Sequence, residues 1–130
     1  MNSETMRSTL RITKALSDIQ RLRILMLLRK GELCVCRIIA VLGLAPSTVS
    51  KHLSILSAAA LVDSRKEGRW AYYRLPQGAA LKGVKPMLKW LDETLSAEAL
   101  VAKDAKKLEA ALACPPESLS ESQRKRCLAV

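Results

Sequence analysis

Two thiols one residue apart, Cys34 and Cys36 in the run Glu32-Leu33-Cys34-Val35-Cys36, are the residues of this chain best suited to chemistry. Thiolate sulfur is soft, so a close pair suits a single thiophilic centre. Two further cysteines, Cys114 and Cys127, stand near the C-terminus. The opening residues Met1-Asn2-Ser3-Glu4-Thr5-Met6-Arg7 carry no apolar signal core, so the expected location is the cytoplasm and the expected state of the cysteines is the reduced thiol. Their open uses are metal or metalloid binding, redox sensing, or plain burial as small apolar side chains. On a continuous helix, positions i and i+2 point about 200° apart, so the pair shares neither one core nor one ion unless the first turn unwinds. Around them there is no phosphate loop, no Cys-x-x-Cys pair and only one histidine, His52, which argues against an enzyme.

Charge is the second signal. The chain has 130 residues, with 22 Lys and Arg against 12 Asp and Glu, and the resulting +10 exceeds what solubility needs and points to an anionic partner such as DNA, RNA or a membrane surface. A hydrophobic share of 49% and a charged share of 26% fit one soluble globular domain with some tail. The longest apolar runs, such as Ile24-Leu25-Met26-Leu27-Leu28, fall far short of a bilayer span, so no membrane partner is expected.

The elements that must position these residues are mostly helices. Apolar spacing predicts one helix over 6–16, a second capped by Ser17 or Asp18 and running to Lys30, and a third from Glu32 to about Leu42. Gly31 and Gly43 are the stops. A fourth helix starts near Pro46 or Ser47 and reaches about Ala60, and the tight Gly43-Leu44-Ala45 connection predicts a helix-turn-helix. In the fourth helix Val49, Leu53, Leu56 and Ala60 form an inward stripe; Ser47, Thr48, Lys51 and Ser54 face away, with His52 at the edge, an outer face suited to base edges and phosphates. Residues 61–75 turn strand-like around Glu67-Gly68-Arg69, and Arg65, Lys66, Arg69 and Arg74 give this hairpin a cationic tip for the phosphate backbone or minor groove. Trp70, Tyr72 and Tyr73 read as packing aromatics. Residues 86–113 predict one long amphipathic helix through Met87, Leu88, Leu91, Leu95, Leu100, Leu108 and Leu112, whose apolar face either pairs with a partner together with 6–16 or caps the core.

The cysteine run, Ser47-Thr48-Val49-Ser50-Lys51-His52-Leu53, Arg65-Lys66-Glu67-Gly68-Arg69 and Tyr72-Tyr73 together resemble the arsenic-responsive ArsR/SmtB repressors over roughly residues 8–95. The resemblance implies a mainly α, winged helix-turn-helix homodimer with a small β-hairpin. It implies binding to an inverted-repeat operator in the metal-free state and release when As(III) or Sb(III) binds Cys34 and Cys36. It carries recognition-helix roles over to Ser47, Thr48, Ser50, Lys51 and His52 and the wing role to Arg69, with Arg65 and Lys66 beside it. Residues 1–113 are then the DNA-binding and dimerisation domain, and 114–130 a tail expected to be flexible. No cofactor is required; the inducer is the ligand.

The chain departs from the family's best-known arsenic motif, which has a third cysteine where Ile39 stands here. The third ligand is then Cys114, Cys127 or a hydroxide, or the inducer is a methylated arsenical. Zinc sensing on the C-terminal helix would need several His ligands there, and cadmium or lead sensing an N-terminal cysteine that residues 1–33 lack. A thiol redox-sensing repressor of the same fold and a purely architectural DNA binder are the other readings.

Overall fold

The computed structural model describes residues 3–113. In chain order the elements are α1 (Ser3–Leu16), α2 (Ile19–Leu28), β1 (Leu33–Cys34), α3 (Val35–Leu42), α4 (Pro46–Ala58), β2 (Asp63–Glu67), β3 (Trp70–Arg74), α5 (Ala79–Lys82), α6 (Lys85–Leu95) and α7 (Ala99–Leu112). The centre is α2, on which α1, α3, α4, α6 and α7 all rest. Asp18 starts it, its Oδ1 accepting the amides of Gln20 at 2.8 Å and Arg21 at 3.3 Å. This satisfies two of the four donors that a helix start leaves unpaired. Burial pushes the Asp18 carboxyl up, but those amides and the Arg21 guanidinium outweigh it and leave it below its ordinary value. The second half of α2, Ile24 to Leu28, is buried on every side.

The helix-turn-helix forms as its sequence predicts. Gly43 ends α3 in the left-handed conformation, φ 66°, and its amide returns to the Ile39 carbonyl at 2.9 Å. Pro46 then opens α4, where a missing amide costs nothing. Val49, Leu53 and Leu56 enter the core as expected, but the last inward position is Ala59 and not Ala60. Ala60 lies outside the helix at φ 58°, the site of a two-bond helix stop: its amide bonds Ser57 and the Leu61 amide bonds Leu56, both at 3.0 Å. Alanine there carries about 1–2 kcal/mol of strain. Leu56 and Leu61, both fully buried beside it, contribute about 1.5–3 kcal/mol each, so the strained stop is tolerated.

The sheet has three strands, in the order β1-β3-β2. The expected hairpin is present, with Gly68 at φ 62° in its turn. The third strand was not expected. The sequence predicts a helix from Glu32, whereas Leu33 and Cys34 are extended and pair antiparallel with Tyr73 and Tyr72, so that α3 starts at Val35. Local periodicity is blind to this partner nearly forty residues away.

The long C-terminal helix is also corrected. Three- and four-residue apolar spacing runs on through a break at 96–98, where Glu98 is extended at φ −66°, ψ 136° and no glycine or proline marks the interruption. The break lets α6 drop Leu91 into the core and α7 lie across α2 and α3, burying Val101. A bidentate ion pair holds α7 in place. Arg23 Nε and Nη2 each donate to the Asp104 carboxylate at 2.8 Å, with Asp104 only 2% exposed. No single described helix is long and apolar enough to cross a membrane.

Glycine adopts the left-handed conformation without strain, so Ala60→Gly is expected to raise the unfolding free energy by about 0.5–1 kcal/mol in urea titrations. An unchanged or lowered midpoint would contradict the strained stop.

Candidate functional site

Cys34 is both the last residue of β1 and the residue that caps α3. Its extended backbone, φ −64°, ψ 143°, turns its side chain away from the direction a helical residue would take. The Cys36 amide donates to the Cys34 sulfur at 3.4 Å, and the two Sγ atoms lie 2.9 Å apart. The expectation that the sulfurs diverge until a helical turn unwinds is therefore wrong, because Cys34 was never in the helix. Neither thiol is in a disulfide, and both are buried, at 4% and 3% exposure. The Cys34 contact and burial together push the Cys36 thiol far above its ordinary range. Among the described residues no three His, Cys, Asp or Glu side chains cluster closely enough to hold a metal ion. Cys114 and Cys127 lie outside the described residues, as does the tail expected over 114–130.

The sulfurs connect outward in two directions. Next to Cys36, the buried Arg37 reaches from α3 to donate to the Ala111 carbonyl at the end of α7. Before Cys34, the Glu32 carboxylate accepts from Arg65 of β2, Nη2 at 2.7 Å and Nε at 3.0 Å. That guanidinium also bonds Glu67 at 2.8 Å and stacks on Tyr72, 4.5 Å from the ring centroid. The dithiol and the wing thus share one strand pairing and one salt bridge.

On α4, Ser47, Thr48, Ser50, Lys51 and Ser54 are exposed in a single outward arc, and His52 is half-buried at its edge. Lys66 and Arg69 stand exposed at the wing tip, and neither has an ion-pair partner among the described residues. Arg65 does not stand free with them, since Glu32 and Glu67 engage its guanidinium, and Arg74 lies 3.9 Å from Asp63. Two residues that sequence reasoning passed over belong to the site: Glu32, and Arg21, whose Nη1 is 3.1 Å from His52 Nδ1. Only the β1–β3 register and the packing of α2 on α4 reveal them; their separations in sequence leave no local signal.

An exposed polar helix of a helix-turn-helix beside a cationic hairpin defines a winged-helix DNA-binding regulator. The model for "Bacterial regulatory protein, arsR family" matches residues 18–64. Among similar proteins, an HTH-type transcriptional regulator of Methanocaldococcus jannaschii is 43% identical over 83 residues, 63% of this chain and 89% of that protein. The arsenic resistance transcriptional regulator ArsR1 of Pseudomonas putida is 42% identical over 80 residues, 56% of this chain but only 62% of its own length. Cadmium resistance regulatory proteins also occur among the matches. The homodimeric winged helix-turn-helix DNA-binding domain Mb0332 of Mycobacterium bovis, described as a possible ArsR-family regulator, superimposes with a TM-score of 0.61 at 30% identity, covering 75% of this chain and 86% of that one. This chain belongs to the ArsR/SmtB family of winged-helix transcriptional regulators. Members of that family regulate transcription and are not enzymes.

Burial makes both sulfurs slow nucleophiles, and the raised Cys36 thiol slows that one further. In a chain carrying Cys114→Ser and Cys127→Ser, a bulky disulfide reagent should modify Cys34 and Cys36 on the order of a hundredfold more slowly in native buffer than in denaturant. Equal rates would show the pair to be solvent-open.

Proposed function

We propose that this chain is a homodimeric repressor that holds an inverted-repeat operator and releases it when As(III) or Sb(III) engages Cys34 and Cys36. The observation that carries the reading is the convergence of two buried sulfurs to 2.9 Å at the strand that pairs with the wing. The acid-base chemistry favours a metalloid over a divalent cation. A cation needs the thiols as thiolates and must drive their protons off, which Cys36, held protonated, resists. Arsenious acid brings its own hydroxides: two thiols condense with As(OH)3, two S–As bonds form, and the protons leave with the hydroxides as two waters. No net proton is released. Zinc or cadmium would also want four ligands, more than this pair offers.

One contact and a short stretch of chain support a third sulfur from Cys114. Arg37, the neighbour of Cys36, holds the Ala111 carbonyl, and Cys114 follows three residues later. That length of chain spans at most about 10 Å. Cys127 stands thirteen residues further along the chain. Where no third sulfur is used, the remaining hydroxide, or the methyl group of a methylated arsenical, completes the pyramid.

The output runs through the wing. Seating a metalloid on the Cys34 sulfur draws on the residue that is also paired with Tyr72, while Glu32 holds Arg65 two residues upstream. Movement of β1 therefore shifts β3 and frees or re-aims the basic hairpin against DNA. Exposed Met6 and Leu10 on α1 and Trp90 on α6 supply apolar area for the second copy. The sulfur contact also favours one second reading, a redox switch in which a peroxide takes two electrons and two protons from the thiols to form a Cys34–Cys36 disulfide. A protonated Cys36 is a poor start for that attack.

In fluorescence anisotropy on the operator, arsenite or antimonite should weaken binding about 5- to 150-fold, while zinc does not. Cys34→Ser and Cys36→Ser should bind DNA normally and lose the response, Cys114→Ser should blunt it, and Cys127→Ser should not. A full response in both Cys34→Ser and Cys36→Ser would overturn the site, and release by peroxide but not arsenite would establish the redox reading. For the wing, Lys66→Ala and Arg69→Ala should each reduce the slope of log affinity against log salt by about 1. Arg65→Ala should reduce it by less, because Glu32 and Glu67 already neutralise that guanidinium. Equal slopes for all three would refute the distinction.

A further inference from the structure

The chain has one histidine, and a neighbour from another helix decides which of its nitrogens carries the hydrogen. Arg21, in the first turn of α2, sends Nη1 to within 3.1 Å of His52 Nδ1 on α4. A guanidinium has donors only, so Nδ1 must be the acceptor and carry no hydrogen. In neutral imidazole the proton then sits on Nε2. Arg21 is not free to turn aside. Its Nε donates to the Ala15 carbonyl at 2.7 Å and its Nη2 to the Lys14 carbonyl at 3.2 Å, while Asp18 Oδ2 lies 3.9 Å from Nη1. The side chain is 12% exposed. Both carbonyls belong to the last turn of α1, where the helix ladder runs out of donors, and that of Lys14 also accepts from the Ser17 amide at 3.1 Å. One fork thus joins the end of α1 and the cap of α2 to the edge of the recognition helix.

We infer that Arg21 is a positioning residue that locks His52 as the Nε2–H tautomer, so that α4 presents a fixed hydrogen-bond donor to an acceptor on a base edge in the major groove. The inference rests on the operator-binding reading given above and names one specificity determinant within it. A fixed donor is selective: guanine O6 and N7, adenine N7 and thymine O4 accept, whereas the cytosine amino group only donates. A histidine free to exchange tautomers would make no such distinction.

Nitrogen-15 NMR of the full chain tests the lock without DNA, and a single histidine leaves no assignment ambiguity. The expected spectrum of neutral His52 has a pyrrole-like Nε2 and a pyridine-like Nδ1; the reverse, or an average of the two, overturns the lock. Selection of duplexes from a randomised pool by wild type, His52→Ala and Arg21→Lys tests the contact. Arg21→Lys keeps the cation but loses the fork, and circular dichroism verifies its fold. Both variants should lose preference at the same base pair of each half-site, keep the other positions, and bind the wild-type duplex about five- to tenfold more weakly. If His52→Ala selects the wild-type consensus, or binds scrambled duplex with the same loss, the base contact is refuted while operator binding stands. If wild type selects no consensus, the operator reading itself fails, and the NMR result still judges the lock.

Discussion

Two residue pairs, Leu33 with Tyr73 and Cys34 with Tyr72, tie the start of α3 to the wing, and much of the molecule's arrangement depends on that short seam. Because Cys34 is extended to make it, Cys34 caps α3 instead of joining it, and its sulfur falls beside that of Cys36. Because β3 is held on both edges, by β1 and β2, the hairpin stands on the helix-turn-helix as a three-stranded sheet and not as a lone ribbon, which would be marginal in water. Glu32 and Arg65 then staple the same junction from outside.

Much of the fold was legible in the chain because its punctuation is local. Asp18, Gly43, Pro46 and Gly68 each act on their own backbone, and the order of helices and hairpin follows from them. The outward face of α4 was legible for the same reason: Val49, Leu53 and Leu56 leave Ser47, Thr48, Ser50 and Lys51 no direction but outward. Misread were the features with distant causes. The seam at Leu33 and Cys34 depends on Tyr72 and Tyr73, the break before α7 on a surface of α2 and α3 that receives Val101 and Asp104, and the engagement of Arg65 on Glu32. For the candidate site, the identity of the two cysteines was plain from spacing, but their mutual geometry was inverted by a single misplaced helix boundary.

The arginines divide the chain's positive charge into two kinds. Arg23 and Arg37 are spent inside, one bonded to Asp104 and the other to the Ala111 carbonyl, and both fasten α7 across the core. Burying such groups is costly unless every donor is met, and no buried side-chain nitrogen or oxygen among the described residues lacks a partner. Pairing Arg23 with Asp104 leaves the formal +10 unchanged, so the total says little about where on the surface the positive charge lies. Lys51, Lys66 and Arg69 are exposed and have no ion-pair partner among the described residues, so they form a local positive excess on that face.

Burial of both sulfurs also sets a clock. With exposures of 4% and 3%, neither sulfur can be reached by simple collision. On the reading proposed above, a ligand of these sulfurs would have to wait for the structure to open locally around them. When reclosing outpaces capture, the rate of occupation follows the population of the open state. When ligand is abundant, the rate levels off at the opening rate itself and no longer rises with concentration. A sensor built in this way would filter its surroundings by time as well as by affinity: brief exposure to a thiophile would pass unanswered, and sustained exposure would be registered at a pace set by the protein.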